Sequence, residues 1–182
     1  MAALTAGEVV ARIKSNLGFA WRETTYRDTF KFGGPDTEVA GIATTMFCSM
    51  GAIEQAAAAG LNMIIPHEDT YWNDRDDLSV VDADPLYRTK VDLLTKHQIV
   101  IFRMHDHMHA QRPDFTWVGL TRVLGLTSDQ ETAPQSHRFT IPETTLEALA
   151  SDFKKRLGDK AIRVVGDPRA KVRRVQVGVG YA

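Results

Sequence analysis

Four of the six histidines in this chain of 182 residues lie in two short segments, and each segment directly follows an apolar run. The imidazoles and the carboxylates beside them belong to His67, Glu68, His105, Asp106, His107 and His109. Imidazole and carboxylate together are the ligands that Zn²⁺, Mn²⁺ or Fe²⁺ prefers, rather than Ca²⁺. The residue types therefore predict a divalent-metal site that is shared by the two segments.

The two apolar runs, residues 61–65 and 98–104, are typical of short buried strands. Between them, Asp84-Pro85 resembles a helix start, and apolar residues at helical spacing continue to His97. We expect the two strands to be parallel neighbours, because ligands in open α/β sheets gather at the carboxyl ends of the strands. His67 and His105 would then reach the same edge of the sheet.

The conformation after Met104 decides which of the next histidines join this site. If the chain coils, residues four apart share one face, so His105 and His109 converge while His107 turns away. If the chain stays extended, all three imidazoles point the same way. A helix start near residue 114 favours the coiled form. The ligands predicted on this basis are His67, Glu68, His105 and His109, and we expect Asp106 to orient a histidine or to act as a base.

The rest of the chain alternates predicted helices and strands, which indicates an α/β fold with a largely parallel central sheet and flanking helices. Further strands are expected over residues 39–47, 161–165 and 172–179, and helices begin at the capping box Thr5-x-x-Glu8 and after Ser49. We expect residues 1–126 to form the domain that carries the site and residues 127–182 to begin a second α/β unit.

Other reactive side chains have simpler interpretations. Cys48 lacks the glycine pattern of a nucleophile elbow and is expected to be an inert buried thiol. His97 and His137 are expected to play no part in the site. The acidic residues Asp74, Asp76 and Asp77 are interpreted as a solvated loop. Tyr71 and Trp72 could stack on a planar substrate, although packing is the favoured role.

Composition excludes several classes of protein. No apolar run is long enough for a membrane span, and a net charge of −1 gives no electrostatic reason for binding nucleic acid or anionic membranes. The single cysteine excludes an intrachain disulfide and fits a reducing cytoplasm, so we expect a cytoplasmic protein. These observations do not name a function.

Four segments in the same order resemble those of the Nif-three-like family, which is often labelled GTP cyclohydrolase 1 type 2. They are Lys31-Phe-Gly-Gly-Pro-Asp-Thr-Glu-Val-Ala-Gly-Ile42, Ala59-Gly-Leu-Asn-Met-Ile-Ile-Pro-His67, the strand and histidines of residues 99–109, and Val164-Val-Gly-Asp-Pro-Arg169. The second segment resembles the family's G-x-N-L-I-I-x-H-H strand, and the fourth its V-G-D-P turn. The resemblance covers nearly the whole chain and implies a Nif-three-like fold.

The family holds two divalent metals, zinc, manganese or iron, with paired histidines, a later histidine and aspartate, and a C-terminal H-x-x-x-E. Carried over by position, His67 matches the first paired histidine and Glu68 stands in for the second. His105 matches the later histidine, and His109 stands where aspartate is usual. These changes indicate a subgroup with the motifs H-E and H-D-H-x-H. The C-terminal pair is absent before Ala182, so we expect either an incomplete chain or a site without those ligands.

The resemblance implies a metal-dependent hydrolase that acts on a small molecule, with GTP ring opening as the activity in the family label. The alternative is a metal-binding regulatory or protein-interaction protein without turnover, which the missing C-terminal ligands favour. A homo-oligomer is expected in either case, because the family assembles as rings of dimers. Such an assembly would also cover the sheet edge or apolar face left at residues 172–179.

Overall fold

The computed structural model describes residues 3–126 and 137–179, and the chain divides into two compact units, Met1–Ala110 and Gln111–Ala182. The boundary therefore lies at residue 110, nearer the N-terminus than the expected residue 126. The reason is packing, because Trp117 and Leu124 belong to the same buried cluster as Phe139 of the second unit.

The first unit contains all elements that surround the histidines. They are β1 (Leu4–Thr5), α1 (Ala6–Asn16), β2 (Phe30–Phe32), β3 (Glu38–Val39), β4 (Ile42–Thr45), α2 (Met50–Ala58), β5 (Met63–Pro66), α3 (Pro85–Lys96), β6 (Val100–Phe102) and α4 (Asp106–His109), with one 3₁₀ turn at Leu78–Val80. The central sheet has the strand order β2-β6-β5-β4.

Strands β4, β5 and β6 are parallel neighbours, with Met63 opposite Val100 and Ile64 opposite Ile101. The predicted adjacency of the two strands that precede the histidines is therefore confirmed. The outer strand β2 is antiparallel to β6. The expected strand over residues 39–47 is divided, because β3 pairs with β1 in a separate two-stranded sheet and only β4 enters the central sheet.

The helices begin where the sequence predicts them. The Thr5 side chain accepts the backbone N–H of Glu8, and the Glu8 carboxylate accepts the N–H of Thr5, so the capping box starts α1. Ser49 caps α2, and Asp84 caps α3 ahead of Pro85. Each cap satisfies backbone donors that the first turn of a helix leaves unpaired.

Helices cover both faces of the central sheet, because successive strand residues point to opposite sides. Val100 and Phe102 pack with α1 in one buried cluster. The intervening Ile101 packs with residues of α2 and α3 in a second cluster. This three-layer α/β/α arrangement agrees with the predicted fold class and leaves the carboxyl ends of β5 and β6 to carry the histidines.

The second unit contains α5 (Phe115–Val123), β7 (Arg138–Thr145), α6 (Leu146–Leu157) and β8 (Lys171–Gln176), with β7 and β8 antiparallel. The prediction of a strand over residues 161–165 is wrong. This segment pairs with no strand among the described residues and is exposed, Val165 to 86%. The part of the chain that the structure describes contains no helix long and apolar enough to cross a bilayer.

Gly33 provides a test of the packing between the turn after β2 and strand β6. Its φ is +69°, and a Cβ built there would lie 3.1 Å from Cβ of Val100 and 3.2 Å from its Cα. We therefore expect Gly33→Ala to lower the free energy of unfolding by about 1–3 kcal/mol. Gly34→Ala is the control, because a Cβ at Gly34 meets nothing within 4 Å. Urea unfolding measures both variants, and equal midpoints for them would contradict the strain at Gly33.

Candidate metal centre

The parallel pairing of β5 and β6 places two histidines at the same edge of the sheet. His67 follows the last residue of β5, and His105 lies three residues after the end of β6. Their rings are stacked, with centroids 4.5 Å apart. This proximity follows from strand order, since neighbouring parallel strands bring their carboxyl ends together.

The turn after His105 forms the one-turn helix α4, as the coiled alternative predicts. His109 therefore folds back toward His67, and their Nε2 atoms lie 3.1 Å apart. Among the described residues, His67, His105 and His109 form the group of three histidines whose ligand-capable atoms all lie within 4.8 Å of one another. The geometry could hold one metal ion.

Hydrogen bonds leave the Nε2 atoms of two of these rings available as ligands. The Nδ1 atom of His67 lies 3.3 Å from the carbonyl oxygen of Met104, which fits an Nδ1–H donor. The Nδ1 atom of His105 lies 3.2 Å from Oδ1 of Asp106. A histidine that ligates a metal almost always donates its other N–H in this way. Burial lowers the pKa of His67, and the imidazoles of His105 and His109 lower it further.

His107 is excluded from the group because both of its ring nitrogens are already engaged. The backbone N–H of Arg22 donates to Nε2 of His107 over 2.9 Å, so Nδ1 carries the proton and donates to the carboxylate of Asp28. The ring is fully buried and stacks on Trp21 with centroids 3.6 Å apart. His107 therefore fixes the turn and offers no lone pair to a metal.

Asp28 is the residue that holds this turn in place. Its buried carboxylate accepts the backbone N–H groups of His105, Asp106 and His107 at 2.6, 2.9 and 2.9 Å. The carboxylate thus satisfies the backbone donors at the start of α4 and also accepts from the His107 ring. The orientation of the peptide dipoles favours an acidic group at this position. The positions of His105 and His109 thus depend on a side chain about 80 residues earlier in the sequence.

Asp28 and its neighbours were not predicted as part of the site, because their position there depends on β2. This strand pairs antiparallel with β6, Phe30 opposite Phe102, so the residues just before β2 lie beside the carboxyl end of β6. In the sequence these residues are only a polar stretch immediately before Phe30. They indicate a contact with the histidine segment only once the antiparallel pairing of β2 with β6 is known. Thr25 and Arg27 reach the site by the same route.

Asp106 is held by three partners. Thr25 donates its hydroxyl to Oδ2 over 2.7 Å, and Arg27 and His105 approach Oδ1 at 3.1 and 3.2 Å. Burial raises the pKa of Asp106, but the hydrogen bonds from Thr25, His105 and Arg27 outweigh it and hold the pKa below its usual value. Of the two expected roles, this geometry favours orienting His105 over accepting a proton from substrate.

Glu68 is not brought into the histidine group. Its carboxylate faces the fully buried guanidinium of Arg103, with Oε2 and Nη2 3.5 Å apart. Arg103 also donates to the carbonyl oxygens of His67 and Asp74 and to the Asp74 carboxylate. A buried cation strongly attracts nearby carboxylates because it has lost its hydration. In this structure the Glu68 carboxylate therefore belongs to the ion pairs of Arg103, and its role as a metal ligand stays a prediction.

The acidic segment after Glu68 is a solvated loop only in part. Asp74 bonds to Arg27, Tyr26 and Arg103, and the hydrogen bond from Arg27 above all holds the pKa of Asp74 well below its usual range. The Asp76 side chain is only 5% exposed and accepts the backbone N–H groups of residues 70 and 71. Asp74 and Asp77 are exposed as expected, and the Asp77 carboxylate accepts the backbone N–H of Ser79.

The remaining reactive residues lie outside the histidine group. Cys48 is buried, and burial raises the pKa of its thiol to about 11, as expected of an inert cysteine. His97 ends α3. In the second unit, the His137 ring stacks on Trp117 with centroids 5.0 Å apart.

Comparison with known proteins gives one family. The model of the family described as Duf34/NIF3 (NGG1p interacting factor 3) matches residues 5–182. No curated protein matches the chain.

Solved structures with a similar fold include three at low sequence identity. The Staphylococcus aureus hypothetical protein SA1388 has a TM-score of 0.72 at 18% identity, over 95% of this chain and 71% of that protein. A Bacillus cereus protein related to NIF3 has a TM-score of 0.73 at 14% identity, over 96% and 76%. The protein ybgI, described as of unknown function, has a TM-score of 0.70 at 23% identity, over 94% and 68%. These likenesses show the fold.

The histidine group predicts which single substitutions remove metal binding. We expect His109→Ala to abolish stoichiometric Zn²⁺ binding, because it removes one of three imidazoles from the group. His97→Ala is the matched control and should bind as the wild type does. Isothermal titration with Zn²⁺ after treatment with a chelator measures both. Zn²⁺ binding that survives His109→Ala but is lost in His107→Gln would contradict the assignment.

A substitution at Asp28 should weaken metal binding indirectly, because it changes the positions of His105 and His109. Asp28→Asn replaces one of the two acceptor oxygens with an NH₂ group, which cannot accept a hydrogen bond. Some of the backbone N–H groups at the start of α4 would lose their acceptor, so α4 should become less ordered. We expect the affinity for Zn²⁺ to fall about 10–100-fold while saturating Zn²⁺ still binds. Asp36→Asn, at an exposed turn, is the control. Circular dichroism confirms folding, and unchanged affinity in folded Asp28→Asn would exclude the positioning role.

Proposed function

The chain belongs to the Duf34/NIF3 family, and from this we propose that it binds one divalent transition-metal ion through His67, His105 and His109 and acts as a metal-dependent hydrolase. The observation that carries the proposal is the convergence of three imidazoles at the carboxyl ends of two neighbouring strands. Metal sites of catalytic zinc proteins use three protein ligands of this kind and keep one position open for water or substrate.

The geometry of the histidines supports this assignment. Two nitrogens bound to one tetrahedral zinc ion lie about 3.3 Å apart, given bonds of about 2.0–2.1 Å. The Nε2 atoms of His67 and His109 are 3.1 Å apart, close to that separation. All-imidazole ligation suits Zn²⁺, Fe²⁺ or related cations and disfavours Mg²⁺ and Ca²⁺, which prefer oxygen.

When bound, such a cation supplies Lewis acidity, which activates water and polarises the bond to be hydrolysed. The residues of the chain have the supporting roles. Asp106 orients His105 through Nδ1, and the Met104 carbonyl orients His67. Thr25 and Arg27 fix Asp106, so these side chains need little rearrangement when metal and substrate bind.

The second candidate is a metal-binding regulatory or interaction protein without turnover. One specific observation favours it. The Asp106 carboxylate, which contacts His105, is engaged by Thr25, Arg27 and His105 and is poorly placed to take a proton from substrate. A hydrolase built on this site would therefore not use Asp106 as its base.

A hydrolysis screen distinguishes the two candidates. The Zn²⁺-loaded and Mn²⁺-loaded protein is assayed against a phosphodiester, an activated ester, an amide and GTP, the last because of the activity in the family label. A hydrolase predicts turnover of at least one substrate that falls at least about 100-fold in His109→Ala and after chelation. His97→Ala should retain full activity. Bound metal with no turnover of any substrate would favour the regulatory protein.

A further inference from the structure

A cavity of about 300 Å³ lies in the first unit, between the segment after β5 and the face of α3. None of the three histidines of the candidate metal centre lines it. Its walls include Met50, Tyr71, Trp72, Leu86, Tyr87 and Lys90. Concave, mostly apolar cavities with one or two polar groups are the usual form of small-molecule sites.

The aromatic walls differ from ordinary core packing. Tyr71 and Tyr87 form an edge-to-face pair with centroids 5.3 Å apart, and the hydroxyl of Tyr71 donates to the carbonyl oxygen of Lys31. Trp72 is 65% exposed and Leu86 is 78% exposed. The side chains of Trp72 and Leu86 are therefore exposed to water at the margin of an aromatic cavity. A flat ligand bound there would cover part of both.

The polar feature of the cavity is the ammonium group of Lys90. Nζ donates to the carbonyl oxygen of Thr70 and lies 5.5 Å from the centroid of the Tyr71 ring. Burial lowers the pKa of Lys90, while Cys48, Asp76 and Asp69 act in the opposite direction. An ammonium group has three donors, so it can also donate to an acceptor on a ligand in this cavity.

We propose that this cavity binds a planar aromatic or heteroaromatic small molecule carrying one carboxylate or carbonyl acceptor. The ring contacts Trp72 and Tyr87, and the acceptor receives a hydrogen bond from Lys90. This site is separate from the proposed function, because it uses none of the residues assigned to the metal.

Size and charge narrow the class of ligand. The volume is at the low end of the range for ligand cavities, which suits one fused bicyclic ring rather than a larger molecule. The lining contains one ammonium group and also Asp84, whose carboxylate caps α3 through the N–H of Leu86. A single acceptor can pair with Lys90, whereas a dianion such as a phosphate monoester would meet repulsion from Asp84.

Ligand titration on the chelator-treated protein tests the proposal, so that failure of the metal centre cannot affect the result. The probes are indole-3-carboxylate, indole and cyclohexanecarboxylate. Indole lacks the carboxylate acceptor, and cyclohexanecarboxylate lacks the planar ring. We expect indole-3-carboxylate to bind, indole to bind about tenfold more weakly for lack of a charge-assisted hydrogen bond, and cyclohexanecarboxylate to bind at least about tenfold more weakly for lack of stacking.

The variants assign the binding to this cavity. Trp72→Ala should lower the affinity for indole-3-carboxylate about tenfold. Lys90→Met should lower the affinity for indole-3-carboxylate to the level that the wild type shows for indole. Val80→Ala is the matched control, since Val80 is 64% exposed in the same segment and does not line the cavity. Circular dichroism confirms that each variant is folded, and Trp72→Phe, which keeps a ring, should retain most of the affinity.

Three outcomes would overturn the proposal. The first is no saturable binding of indole-3-carboxylate up to about 10 mM, which is weaker than the millimolar affinity of a marginal ligand. The second is unchanged affinity in folded Trp72→Ala. The third is self-association of the protein that Trp72→Ala abolishes without any binding of the probes, which would assign the exposed aromatic surface to a second copy of the chain.

Discussion

A single buried carboxylate, that of Asp28, holds the turn that carries two of the three histidines of the candidate metal centre, His105 and His109. Three consecutive backbone N–H groups and the ring of His107 donate to it, and without that acceptor all four would be unpaired in a water-poor site. The resulting one-turn helix is what separates the function of His109 from that of His107. The chemistry of the site therefore depends on a hydrogen-bonded anchor that contacts the proposed ligand His105 only at its backbone N–H.

A second buried charge organises the other side of the same edge. Arg103 is fully buried at the end of β6 and donates to the carbonyl oxygen of His67 and to Asp74. The segment after β5 folds around this cation, and Asp76 in turn accepts the N–H groups of Thr70 and Tyr71. The walls of the aromatic cavity and the support of His67 thus share one set of ion pairs, so a change at Arg103 should disturb both sites.

The fold and the chemistry rest on different observations. Similar structures at 14–23% identity show that the α/β architecture tolerates extensive sequence change. Architecture alone does not specify an activity, because one fold can carry many unrelated sites. The proposed function therefore rests on the convergence of three imidazoles, and the proposed ligand cavity on three aromatic rings and one lysine, each of which can be tested separately.

Local patterns were enough to predict most of the elements. The capping box at Thr5, the cap at Asp84 and the apolar runs before His67 and His105 each depend on neighbours within a few residues, so the sequence determined them directly. The same short-range spacing predicted the coiled turn after Met104, but the distant carboxylate of Asp28 holds that turn in place.

Tertiary structure decided the partners of the charged residues. Glu68 resembles a metal ligand in the sequence but pairs with Arg103, and Asp74 and Asp76 resemble a solvated loop but neutralise buried or half-buried cations. The expected strand at residues 161–165 found no pairing partner among the described residues, whereas residues 25–28 joined the site through the antiparallel pairing of β2 with β6. The sequence by itself determined which ligand-capable side chains follow two strands. The tertiary structure decided which of these side chains lie in contact with one another. Strand pairing and the cost of burying an unpaired charge are the reasons, because both act between residues that are far apart in the chain.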